Sequence, residues 1–207
     1  MRRDPELRGA LFDMDGTIVD VPYDWARIKK DLNTGDVPIL SYLSGLAEPE
    51  RSRKWSILAR YESEATARAV LKRGMRRFLD FLKRRGIRTA LITNNSRENT
   101  DILLNRFGLE FDLVTTRESG LWKPSGAPLR AAIKDLGLTE DECCSIGDSH
   151  FDIWAAEDAG LRHIFILGRD PARFVLSGSA EIFPSVAALH RRIEALSGRI
   201  GRKASSL

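Results

Sequence analysis

The chain has 207 residues, 43% hydrophobic and 30% charged, which excludes a disordered polypeptide and allows one domain with a sizeable core plus a small insertion. Its 33 basic and 29 acidic side chains leave a formal charge of +4, too mild an excess to argue for nucleic acid but suited to small anions. No apolar run is long enough to cross a membrane, and the charged start MRRDPELRG lacks the apolar segment of a secretory signal.

Residues 9–13 read as a short buried strand, an apolar run that ends in Asp13 and Asp15 at a Gly turn. From about residue 20 to 73 no strand is evident. Helical stretches are expected around 24–32, 38–46 and 52–71, with Trp25, Ile28 and Leu32 as one stripe and Ile39, Tyr42, Leu43 and Leu46 as another. The basic residues Arg51, Arg53, Lys54 and Arg60 read as a solvated face of the third stretch. Beyond it, Met75, Phe78, Leu79 and Leu82 recur at helical spacing before Gly86. The strand style then returns at 88–93 (RTALIT), 112–116 (DLVTT), 142–147 (ECCSIG) and 162–167 (RHIFIL), with a short strand near 180–183. Between these runs lie helices carrying Ile102, Leu103 and Phe107, then Leu129, Ala132, Ile133 and Leu136. Val186, Leu189, Ile193 and Leu196 mark a last helix.

This alternation predicts an α/β fold: a Rossmann-like parallel sheet with helices on both faces and a small helical cap inserted after the first strand. Residues 1–19 and 74–198 form the expected core, 20–73 the cap, and 199–207 a flexible tail. Cys143 and Cys144 are strand neighbours pointing to opposite faces, so they are read as reduced and the compartment as cytoplasmic.

In open α/β sheets, ligands bind outside the carboxyl ends of the strands. The first strand ends in Asp13 and Asp15, the second in Thr93-Asn94-Asn95; Lys123-Pro124 follow the third, and Asp148 and Asp152 the fourth. Any one of these is an ordinary turn or cap residue, but together they place carboxylates, a hydroxyl and an amine at one edge. Clustered carboxylates repel, and Mg²⁺ favours a carboxylate or two plus a phosphate oxygen. An ionised Asp can then attack phosphorus, Lys123 and the Thr93 hydroxyl can hold phosphate oxygens, and Asp15 can serve as acid for the leaving group.

The segments FDMDGT, LITNNS, WKPSGAPL and GDSHFD, in this order, resemble the four motifs of the haloacid dehalogenase-like hydrolase superfamily, most of all its phosphoglycolate-phosphatase-like branch. The resemblance implies a Mg²⁺-dependent phosphatase acting on a small phosphorylated metabolite through an aspartyl-phosphate. Asp13 is then the nucleophile and Asp15 the general acid/base; Thr93, Asn94 and Lys123 bind the phosphate. Asp13, the Asp15 backbone carbonyl and Asp148 ligate the metal, and Asp152 supports it directly or through water. Members that cleave carbon–halogen bonds lack a carboxylate at the position of Asp15, and members that form a Schiff base use a cap lysine, for which Lys29, Lys30 and Lys54 are available. After Lys123-Pro124 the second proline comes late, at Pro128, so a longer loop is expected there, and the short cap suggests a site open to varied substrates. A sugar phosphomutase of the same superfamily and a phospho-receiver signalling domain stand as alternatives. No nucleic-acid or membrane partner is expected, and the chain is expected to be a monomer or homodimer. Trp122 reads as packing beneath its loop and His150 as a bystander.

Overall fold

The computed structural model describes residues 6–168 and 180–197. The tail predicted at 199–207 lies outside the described residues. Six parallel strands form the main sheet: β1 (Gly9–Phe12), β4 (Arg88–Ile92), β5 (Leu113–Thr115), β6 (Cys143–Gly147), β7 (His163–Leu167) and β8 (Ala180–Phe183). Their order is β5-β4-β1-β6-β7-β8. The chain leaves β1 towards β4 and returns to β6 on the other side, so the order reverses between β1 and β6. A crevice at the carboxyl ends of those two strands follows from that topology.

Period-two alternation builds a core on each face of the sheet. Phe12, Leu91, Cys144 and Ile146 pack with α4 (Met75–Arg84), α5 (Arg97–Phe107) and α8 (Val186–Ser197). Leu11, Ala90, Ile92 and Cys143 pack with α6 (Ala127–Asp135) and α7 (His150–Asp158) on the other face. Cys143 and Cys144 thus face opposite cores and are free thiols. Among the described residues no helix is long and apolar enough to cross a membrane.

The strands match the apolar runs to within about a residue at each end. The run 9–13 stops pairing in the sheet at Phe12, but Asp13 still donates its N–H to the Ile146 carbonyl at 2.9 Å, and Thr93 likewise donates to Thr115 at 3.0 Å. Both functional candidates are therefore held by the last rung of the sheet.

Residues between β1 and α4 correct four expectations. The third helical stretch does not reach residue 71: α3 (Glu50–Ala67) ends earlier, and β3 (Val70–Leu71) pairs antiparallel with β2 (Val19–Asp20). Two-residue strands are too short to show an alternating pattern, which is why none was expected there. The two strands form the stem from which α1 (Trp25–Leu32), α2 (Ile39–Ser44) and α3 project. These helices share a core of Ile28, Leu32, Leu40, Leu43 and Leu58, with Tyr42, Trp55 and Trp122 packed around it. Trp25, expected in that stripe, is 49% exposed and lies against Tyr23 instead. Lys54, expected on a solvated face, is buried: its ammonium donates to the Leu32 carbonyl at 2.5 Å and to the Tyr42 hydroxyl at 2.8 Å. A cation there satisfies the carbonyl end of α1 and sits at the favourable pole of its dipole.

Candidate active site

The site is assembled at the β1–β6 crevice. Lys123 Nζ is its hub, donating to Asp13 Oδ1 at 2.5 Å and Asp152 Oδ1 at 2.6 Å, with all three side chains nearly buried. The loop that carries Lys123 is fixed from the turn between β4 and α5. Asn94 accepts the Lys123 N–H at 2.9 Å and donates to the Lys123 carbonyl at 2.8 Å, a two-point clasp on the backbone of one residue. The Asn94 amide is therefore engaged with the lysine loop. Only Pro124, Ser125 and Gly126 separate Lys123 from α6, and Pro128 sits in that helix's first turn, so the loop is not long.

Asp152 lies in the first turn of α7, where a carboxylate suits the helix N-terminus. Its Oδ2 accepts from the Asp148 and Ser149 N–H groups at 3.1 and 3.0 Å and from the Ser149 hydroxyl at 2.6 Å. Gly147 makes this approach possible, since a Cβ there would stand 2.3 Å from the Asp152 side chain. Both oxygens of Asp152 are thus occupied within the protein, and the charge of Lys123 with these bonds outweighs burial and holds its carboxyl below the ordinary range.

The other carboxylates shift the opposite way. Burial lifts Asp13 to about 6 against the pull of Lys123. Burial and the neighbouring Asp13 lift Asp15 to about 7, and burial with Asp13 and Asp152 lifts Asp148 to about 8. Lys123 stays charged because Asp13 and Asp152 more than offset its burial. One cation facing four carboxyls leaves an excess of negative charge.

That excess fits a hard cation. Asp13, Asp148 and Asp152 each offer a carboxylate oxygen, and these oxygens lie within 4.8 Å of one another. All are oxygen donors, the set that suits Mg²⁺ or Ca²⁺. Gly16 adopts φ +92°, and a Cβ on it would stand 2.0 Å from Asp148 Oδ2, so only glycine lets the chain after Asp15 press against that carboxylate. The Asp15 carboxylate is not part of the cluster and turns to Asn95, whose Nδ2 donates to Asp15 Oδ2 at 3.0 Å. Thr93 is buried beside it; its Oγ1 accepts from Asn95 N at 3.0 Å, which leaves the hydroxyl proton to donate.

Four residues here were not singled out from sequence. Asn95 and Tyr23 meet over Asp15, the Asn95 Nδ2 also donating to the Tyr23 hydroxyl at 3.1 Å. Glu62 on α3 and Arg117 in the turn after β5 form a buried two-point ion pair, 2.5 and 2.9 Å. This pair ties the helical insertion to the sheet edge, and Arg117 also lies over the Trp55 ring. Only the doublet Asn94-Asn95 after Thr93 offered a signal in the sequence. His150 opens α7 with its ring against Trp154.

The fold is shared with proteins of solved structure, and the sequence places the chain in a family. The sequence model of the haloacid dehalogenase-like hydrolases matches residues 23–160, and the chain belongs to that family. It stands in the phosphoglycolate-phosphatase-like branch: a phosphoglycolate phosphatase of Colwellia psychrerythraea is 32% identical over 73% of this chain and 80% of its own length. A haloacid dehalogenase-like hydrolase domain-containing protein of Arabidopsis thaliana is 28% identical over 69% of this chain, which spans 63% of that protein. Among solved structures, CbbY from Rhodobacter sphaeroides in complex with phosphate shares the fold, with a TM-score of 0.68, 24% identity and coverage of 88% of this chain and 96% of that one.

Proposed function

We propose that this phosphatase hydrolyses a small phosphate monoester by way of an aspartyl-phosphate on Asp13, with Mg²⁺ as cofactor. The observation that carries the reading is the Lys123 bridge between Asp13 and Asp152, with Asp148 within reach of the same ion and Asp15 two residues from Asp13.

In the first step Asp13 attacks phosphorus. The new Asp13 O–P bond forms as the P–O bond to the leaving group breaks, and Asp15 gives its proton to the leaving oxygen. In the second step the Asp15 carboxylate takes a proton from water as the water oxygen bonds to phosphorus. The Asp13 O–P bond then breaks, inorganic phosphate leaves and both aspartates are restored. A carboxyl lifted to about 7 is suited to both roles at neutral pH. Lys123 holds one Asp13 oxygen still and lends positive charge to the phosphoryl oxygens, and Thr93 donates its hydroxyl proton to one of them. Asn94 serves by fixing the lysine loop rather than by a side-chain contact to phosphate. Asp13, Asp148 and the Asp15 carbonyl would hold Mg²⁺, with Asp152 supporting them, and the ion supplies charge neutralisation to the transferring group. Residues 20–73 act as a cap over the core formed by 1–19 and 74–198, and the leaving group is selected between the two.

The test is phosphate release from a panel of phosphate monoesters by the purified chain. Release that requires Mg²⁺ and stops with a chelator is expected; no release from any ester, or release indifferent to chelation, contradicts the proposal. The same site makes a prediction about stability. Asp13, Asp15 and Asp148 are raised above the ordinary carboxyl value, so folding takes up protons there. Their contribution is fully present below about pH 4 and is lost as pH rises through about 6 to 8, where the buried carboxylates ionise. A bound cation offsets that loss. The rise in Tm on adding Mg²⁺ should therefore be larger at pH 8 than at pH 5; equal shifts at both would contradict the assignment.

A further inference from the structure

The orientation of Asn95 is fixed by groups that can act in only one way. Its Oδ1 accepts the Ser96 backbone N–H at 2.8 Å and the Asn99 Nδ2 at 3.2 Å. A backbone N–H can only donate, so the Asn95 NH₂ must face the other side. There it meets Asp15 Oδ2 at 3.0 Å and the Tyr23 hydroxyl at 3.1 Å. An NH₂ group offers only protons, so Oδ2 must present a lone pair. The other oxygen, Asp15 Oδ1, is buried and makes no hydrogen bond within the protein. The two oxygens of this carboxyl are thus made unequal.

The same short stretch is tied twice to the helical insertion. Tyr23 precedes α1 and packs on the insertion's core, so its hydroxyl carries the insertion's seating to Asn95. The Arg117 N–H donates to the Asn95 carbonyl at 3.2 Å while its guanidinium grips Glu62 on α3.

From this geometry we infer that Asn95 is a positioning residue: it reserves Asp15 Oδ2 as an acceptor, assigns the transferable proton to Oδ1, and makes that orientation depend on the seated insertion through Tyr23. The inference rests on the phosphatase reading, in which Asp15 protonates the leaving oxygen. Without the amide, the terminal torsion of Asp15 has no preferred sense and either oxygen can face the substrate.

A misaligned acid harms only substrates that need one. An alkyl ester leaves as a poor alkoxide and requires the proton; p-nitrophenyl phosphate leaves as a stabilised phenolate and does not. The experiment compares kcat/KM, which reports the step that breaks the ester bond, for the most active alkyl ester of the panel and for p-nitrophenyl phosphate, both with Mg²⁺. Asn95→Ala should lose about 10-fold on the alkyl ester and less than about twofold on the aryl ester. Tyr23→Phe removes one hydroxyl without threatening the fold and should lose about threefold on the alkyl ester alone. Equal losses on both esters would mark a structural role and overturn the inference, as would no loss on either ester from Tyr23→Phe and Asn95→Ala alike. An unsubstituted chain inactive on both esters would instead overturn the phosphatase reading and take this inference with it.

Discussion

Asp13→Asn is expected to lower turnover by at least about 10⁴-fold while leaving the fold intact. An amide oxygen fits the same space and can still accept from Lys123, but it is a far weaker nucleophile than a carboxylate. The substitution also removes one of four buried carboxyls, so Asp15 and Asp148, both raised in part by Asp13, lose a like charge. Lys123 keeps Asp152 as a charged partner, and the relief of repulsion opposes the lost pair with Asp13, so the metal-free variant should melt close to the parent chain. Circular dichroism melting and phosphate release on one preparation check both halves. Near-normal kcat in Asp13→Asn would contradict a covalent route through that residue.

Lys123→Met is expected to damage both activity and stability. Among the described residues its ammonium is the only cation that ion-pairs with the two buried carboxylates Asp13 and Asp152. Removing one member of a buried ion pair costs about 3–5 kcal/mol, because the remaining charge is left without water or partner. The cost should depend on pH in a defined sense. Asp152 is held below the ordinary carboxyl value, so the stability it contributes is present above about pH 4 and is lost as pH falls through its folded value. Without the ammonium, burial is left to raise Asp13 and Asp152, so the folded variant takes up protons there; its deficit against the parent chain should be largest at neutral pH and shrink as pH falls towards about 4. Urea unfolding at pH 7.5 and pH 4 measures this. A gap independent of pH would show that the lysine stabilises by packing of its stem rather than by charge. Turnover at neutral pH should fall by about 10³-fold, the loss of a preorganised charge at the transferring group.

The residues behind these predictions were legible in the sequence because each stands just after a buried apolar strand. Asp13 follows Gly9–Phe12, Thr93 follows Arg88–Ile92 and Asp148 follows Cys143–Gly147, so finding the strands also located the site. The helical insertion was legible as a gap in strand alternation. What the sequence concealed are contacts whose partners lie far apart in the chain. Asn95 meets Asp15 across 80 positions, and Arg117 meets Glu62 across 55. Asn94 and Asn95 are adjacent and chemically identical, yet one clasps the Lys123 backbone and the other orients Asp15; only the packed loops decide which. Lys54 departs from the expected solvated face for a related reason. Its charge suggests solvent, but the carbonyl end of α1 and the Tyr42 hydroxyl supply partners that no local pattern reveals. The stem of β2 and β3 leaves no pattern in the sequence because its strands are two residues long.

The central claim is that the phosphoryl group passes through Asp13, and it can be tested by trapping that species. Asp15→Asn removes the base needed to hydrolyse the acyl phosphate, while an aryl phosphate still forms it without help from an acid. The variant should therefore accumulate the intermediate when mixed with p-nitrophenyl phosphate and Mg²⁺. Acid quenching followed by borohydride converts a phosphorylated aspartate to homoserine, which mass spectrometry locates in the peptide. Homoserine at position 13, formed only with substrate, is the predicted result. Release of nitrophenolate with position 13 unmodified, or with the label on another carboxylate, would contradict the mechanism.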